Sequence, residues 1–292
     1  GSLGNRVFAV CGTAGPATDR VRPACWPDRP LCFDRVQAAG VWWKVYVEHY
    51  EPALTVKTAG PKARRGGQVA RVPLLALTRY EKSPDLASHV VGLDTYFSDL
   101  ATGVLPAVSW IVTTSSTERA PGEPLLGQRE VRNVVNALGG SSAWPSSAFL
   151  LSYDSSGGWY DHVAPPTEQG AVLGLRVPAL LISPYAKPGI VNHLQFDSAS
   201  VLRFIETNWS VPPLTSRDAN ATDLGLALSF RGTAHPATIV GTSAGRPHVP
   251  VPNRLTIYGV YLMALAGVGV VVAWVTLRGR QVVPTDASLE PA

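Results

Sequence analysis

From Leu255 to Leu277 the chain runs 23 residues without a charged side chain, between Arg254 and Arg278-Gly279-Arg280. At about 1.5 Å per residue a helix of that length reaches about 34 Å, enough to cross a hydrocarbon core of about 30 Å. A helix buried in a soluble core is the alternative, but so long an uncharged run is unusual there. Tyr258, Tyr261 and Trp274 stand near the ends, as interfacial aromatics do. The run therefore reads as a single transmembrane helix over 254–278, after a linker at 231–253 and before a cytoplasmic tail at 279–292. Arg278 and Arg280 against Arg254 give the positive-inside bias that leaves the rest of the chain outside the cell membrane.

The remaining residues must build a water-facing domain, expected over 1–230. With 46% hydrophobic and 16% charged residues, 292 residues can bury one sizeable core, which excludes a disordered chain. The formal charge is +4, and the basic residues are scattered apart from Lys62, Arg64 and Arg65. No aromatic residues interleave with that cluster, so it reads as a solvated loop and no nucleic-acid partner is expected. Cys11, Cys25 and Cys32 fit no zinc pattern. Cys25 and Cys32 flank a turn-rich stretch and suit a local disulfide outside the cell; Cys11 reads as a buried core thiol.

Along the chain, the spacing predicts a strand at Arg6–Cys11, a short helix from Phe33 closed by Gly40, and a strand at Val41–Val47. Residues 51–73 read as a surface loop. Helices follow near Leu74–Tyr80 and Tyr96–Thr102, then a buried strand at Leu105–Val112. Gln128–Leu138 is an amphipathic helix, Ala179–Ile182 a core strand, and Ser200–Trp209 a helix whose apolar positions recur at three and four. Asp197 before that last helix suits an N-terminal cap. Residues 210–253 lose the periodicity and read as tail and linker.

The chemistry concentrates in Phe149–Pro166. Phe149, Leu150 and Leu151 form a short apolar run that ends at Asp154 and a Gly157-Gly158 pair, the pattern of a buried parallel strand carrying polar groups to a sheet's carboxyl edge. Tyr160-Asp161-His162 adds an acid and an imidazole before Pro165-Pro166 stops regular structure. Two carboxylates and a histidine beside a glycine turn suit a metal or hydrolytic site, although an aspartate ending a strand can also simply cap a turn.

This stretch resembles the Tyr-Asp-acid-x-Gly-Gly-aromatic-Tyr-Asp-His-Val-x-Pro-Pro signature of the bacterial phosphoesterase family that contains non-haemolytic C-type phospholipases and AcpA-type acid phosphatases. Ser2-Leu3-Gly4-Asn5-Arg6 followed by Gly12-Thr13 is similar to the family's Thr-x-Pro-Asn-Arg…Gly-Thr, and Pro184-Tyr185-Ala186-Lys187 and Phe204-Ile205-Glu206 also match. The resemblance implies a three-layer α/β/α domain of the alkaline-phosphatase type, with Phe149–Tyr153 and Ala179–Ile182 as interior strands. It also implies an N-terminally incomplete domain, with an upstream strand carrying a Glu-Asn metal-binding pair.

By the same resemblance Ser2 takes the nucleophile's position, Asp154 that of a ligand to a divalent metal ion, and Asp161 and His162 those of catalytic groups. A Gly-Ser dipeptide at a chain start is also what tag removal commonly leaves. The second acid of the metal pair is Ser155 here, a weaker partner for a hard cation, and Arg119 stands where the family usually has histidine. The expected function is hydrolysis of phosphoester or phospholipid substrates at the outer face of a membrane. This chain alone is expected to be poorly active. The alternative is a catalytically impaired binding or scaffold module.

Overall fold

Leu3, Val7, Val10 and Cys11 are the buried apolar residues of the first segment, and their spacing places them on one helix face. The segment is accordingly helix α1 (Ser2–Cys11), which corrects the strand expected at Arg6–Cys11. The computed structural model describes residues 2–13, 30–58, 67–114, 124–168, 171–241 and 254–279. The basic cluster near Lys62, Cys25 and Arg119 lie outside those residues. Cys32, the other half of the expected disulfide, is a free thiol buried in the core, which corrects that expectation.

Helix α2 (Cys32–Ala38) is followed by Gly40 at φ 72°, a left-handed position that suits glycine. Strand β1 (Trp43–Val47) alternates aromatic and β-branched residues, and all but Lys44 are buried. Helix α3 (Gln68–Arg71) corrects the surface loop read at 51–73, because Gln68, Val69 and Ala70 are buried. The Gln68 amide accounts for this: it accepts from the Glu51 N–H and donates to the Glu51 and Leu54 carbonyls, so a polar turn folds back on the core with its backbone satisfied. The helix expected around Leu74–Tyr80 is split into a 3-10 turn at Pro73–Ala76 and α4 (Thr78–Lys82).

Then come α5 (Pro84–Ser88), β2 (Val90–Gly92), α6 (Leu93–Thr102), β3 (Val108–Val112) and α7 (Pro124–Gly139). β1 lies between β2 and β3, and all three run parallel, with Val45 opposite Val90 on one side and Trp110 on the other. Fully buried Trp43 is the centre of one core: Phe33 packs 4.6 Å from it and the His89 ring stacks 4.1 Å away. On the other side of the sheet Tyr46 packs with Tyr96, Leu100, Val134 and Leu138, and its hydroxyl donates to Asp99, which also holds Lys44.

β4 (Phe149–Ser152), β5 (Thr167–Glu168), β6 (Ala171–Val172) and β7 (Ala179–Ile182) complete the strands. β4 pairs with β7 in an antiparallel two-stranded ladder, Phe149 opposite Ile182 and Ser152 opposite Ala179. This corrects the expectation of interior parallel strands: β4 is half-buried, and Leu180 in β7 is 56% exposed. A short apolar run carries no information on the direction of its partner. Only Phe149 reaches the core, against the Tyr46 cluster.

α8 (Ser198–Trp209) begins at Asp197, which accepts from the Ala199 and Ser200 N–H groups, the expected cap. Residues beyond 210 join the domain rather than trailing from it. α9 (Ser216–Ala219) and a 3-10 turn at Leu224–Ala227 contact α8, and Asn136 of α7 exchanges two hydrogen bonds with Val240. The chain divides into two compact units, Gly1–Val240 and Gly241–Ala292. The second contains α10 (Arg254–Gly279), whose 24 residues Leu255–Arg278 are long and apolar enough to cross a membrane.

Candidate functional site

Beyond β4 the chain turns through Tyr153 and Asp154 and meets α1. The Arg6 guanidinium grips the Asp154 carboxylate through Nε at 2.5 Å and through Nη2, while Nη1 donates to the Ala70 carbonyl at 2.9 Å. One residue earlier on α1, the Asn5 amide donates to the Asp154 carbonyl at 2.6 Å. Two sequence motifs 148 residues apart thus meet at one aspartate. α1 can do this because its apolar face is buried and its polar face, with Asn5 and Arg6, is left to the loop. Ser2 is the first residue of the same helix.

Asp161 and His162 stand differently. Gly157 and Gly158, at φ 68° and 91°, turn the chain sharply after Asp154, a conformation side chains resist. Asp161 is then taken up by Arg176, whose Nε and Nη2 donate to its two oxygens at 2.9 and 2.8 Å. That hydrogen bonding to Arg176, helped by the Val163 N–H, holds the Asp161 carboxyl well below the usual carboxylate range. Asp161 is therefore a fixed negative charge that orients the loop, not a proton carrier at neutral pH. His162 is exposed, its ring 6.4 Å from that of Tyr160.

A second group of polar residues escaped the reading of motifs. Glu48 and His49 follow β1 directly, at the carboxyl edge of the parallel sheet. Buried Glu48 accepts from the Thr114 N–H at 2.7 Å, and the Thr114 hydroxyl donates to the Glu48 carbonyl. His49 sits at φ 51°, its Nε2 3.7 Å from Glu48 Oε1. Burial, and then the Glu48 charge, push the nearby Glu130 carboxyl up. α3 connects this edge with Asp154, since Ala70 receives Arg6 while Arg71 donates to the Thr113 carbonyl. The available signal was the position of two polar residues at a strand's end.

A divalent cation needs several hard oxygen ligands. Among the described residues no group of three or more His, Cys, Asp or Glu side chains could hold one, and the Asp154 carboxylate is already matched by Arg6. The described residues do not fit the metal that the sequence suggested.

A model of the phosphoesterase family matches residues 1–212. The chain belongs to the phosphoesterase family. This phosphoesterase is 28% identical to the non-hemolytic phospholipase C of Pseudomonas aeruginosa, over 79% of its own length and 39% of that protein. It is 29% identical to phospholipase C B of Mycobacterium tuberculosis, over 70% and 44% of the two chains. Against the hemolytic phospholipase C of Pseudomonas aeruginosa the identity is 34%, over 71% and 35%. The phosphoesterase chain thus spans less than half the length of these relatives.

Proposed function

We propose that this member of the phosphoesterase family hydrolyses phosphodiesters of the phospholipase C kind, with Asp154 at the centre of the site and α10 holding the domain at a membrane. The family itself supports a phosphoester-hydrolysing function, and the relatives' names supply the phospholipase class. The single observation that carries the reading is the meeting of Asn5, Arg6 and Asp154. In it the helix that opens with Ser2 is fixed against the loop that carries Asp161 and His162. Within this arrangement Arg6 supplies fixed positive charge beside the carboxylate, Asp161 orients its loop through Arg176, and as water attacks phosphorus and yields its proton to solvent, exposed His162 can give a proton to the departing alkoxide. A three-layer α/β/α domain of the alkaline-phosphatase type, outside the cell, accords with this reading.

The test is hydrolysis of p-nitrophenyl phosphorylcholine and p-nitrophenyl phosphate by the 292-residue chain, with and without added divalent metals. The expected result is slow turnover with preference for the diester, reduced by about a hundredfold or more in His162→Ala, the range for loss of a general acid, and reduced as well in Asp154→Ala. Turnover indifferent to Asp154→Ala would overturn the placement of the site. The Arg6 grip on Asp154 and the lack of a three-ligand group among the described residues favour a second reading, a binding module without catalysis. Absence of turnover together with saturable binding of phosphorylcholine would establish it.

A further inference from the structure

Glu206 on α8 and Asp218 on α9 are buried to 3% and 0% exposure, and the Leu214 N–H approaches both, at 3.3 Å from Glu206 Oε1 and 2.7 Å from Asp218 Oδ2. Two carboxyl groups this close in a core cannot both carry charge unless a cation joins them. The groups that face Glu206 are Asp218 from α9, Arg203 from its own helix and the Cys32 thiol from α2, which itself lies near Cys11 of α1. Arg217, the preceding residue on α9, pairs with Asp197. Arg203 offsets the burial of Glu206 in part.

Asp218 is equipped to keep the negative charge. It accepts from the Leu214 N–H and pairs with the Thr215 hydroxyl, which also reaches the Gly12 carbonyl at 3.4 Å. The proton of the pair then belongs on Glu206, whose Oε1 meets the same Leu214 N–H that Asp218 accepts. The junction grips the end of α1. Gly12, at φ 66°, lies so close that a Cβ there would stand 2.8 Å from Asp218 Oδ1. One residue before Asp218, the Arg217 guanidinium lies over the Phe8 ring at 5.5 Å. The same helix carries Asn5 and Arg6, which hold Asp154.

We propose that Glu206 and Asp218 form a one-proton latch that fixes the end of α1, and through it the Arg6–Asp154 junction, and that loss of this proton in alkaline solution loosens the helix. Burial and the Asp218 carboxylate both oppose a second charge there, so the pair separates, and the Asp218–Thr215–Gly12 contact opens with it. The latch does not depend on the protein being a catalyst. Burial and the Asp218 carboxylate push the Glu206 carboxyl up to about 8, which places the transition just above neutrality.

Difference infrared spectroscopy on the full chain reads the proton directly. The carboxylic-acid C=O stretch should be present at about pH 7, lost by about pH 9, and missing at both in Glu206→Gln. Hydrogen exchange should show the Phe8–Gly12 amides losing protection over the same interval, by about tenfold beyond the ordinary base dependence, in wild type and not in Glu206→Gln. Asp218→Asn removes the charge that holds the proton and should move the titration to lower pH, which keeps the question decidable if Glu206→Gln does not fold. A wild-type spectrum without the acid band at about pH 7 overturns the latch. So does an identical pH dependence of α1 protection in wild type and Glu206→Gln, or an unmoved midpoint in Asp218→Asn.

Discussion

Arg6 joins three segments with one side chain, and its partners give its removal a definite size. Arg6→Ala leaves Asp154 without its cation and Ala70 without its donor, while both charged groups keep some contact with water, at 20% and 35% side-chain exposure. The loss should be about 1–2 kcal/mol in urea unfolding, between the values for exposed and buried charged hydrogen bonds. Gly12→Ala should destabilise by at least about 1–2 kcal/mol, since it forces a Cβ into the left-handed region and against Asp218. Asp161 should remain ionised in NMR titrations far below the pH at which free aspartate protonates, and Arg176→Gln should return it to the ordinary range. At this scale the acids and the histidine of the motif were legible from sequence. Their partners were not: nothing local to Asp154 names Arg6, because the packing of α1 brings the two together. Glu48 and His49 stood unmarked at a strand end for the same reason.

The elements separate into those whose local pattern decides them and those that depend on a distant surface. β1 is of the first kind, and Trp43→Ala in its centre should cost about 3–5 kcal/mol by emptying the space shared with Phe33, Tyr80 and His89. β7 is of the second kind. Leu180→Glu should change stability by no more than about 0.5 kcal/mol, because that side chain faces water, whereas a leucine in an interior strand would cost several times more. Equal losses from the two substitutions, measured by denaturant melts, would return β7 to the interior. Helix α7 was readable from its amphipathic pattern, and α8 from its three-and-four spacing and the Asp197 cap. α1 was misread because Val7, Phe8, Ala9 and Val10 also form the unbroken apolar run expected of a short buried strand, and only Leu3 extends the pattern to a helical face.

Across the whole molecule, stability should fall as pH rises. Glu206 shifts from 4.5 to about 8 on folding, so its contribution is fully present below 4.5, declines above that, and is gone once pH passes about 8. Thermal melts between those limits should show the fall, and Glu206→Gln should flatten it. In the second unit, α10 is long and apolar enough to cross a membrane. Leu265→Arg at the middle of α10 should strongly reduce carbonate-resistant association with membranes, by the roughly 2.5–3.5 kcal/mol that a central charge opposes to insertion. The exposed apolar side chains also recur outside that helix, at Trp159, Tyr160, Val172, Leu180, Ile190 and Val191. β4 and β7 each have only the other as a described ladder partner, so hydrogen-bonding edges lie close to greasy surface. For anyone purifying the protein, these side chains are a source of association separate from α10. Dynamic light scattering should then grow with concentration even when every helix is micelle-bound, and mild chaotropes rather than more detergent should restore a single small species.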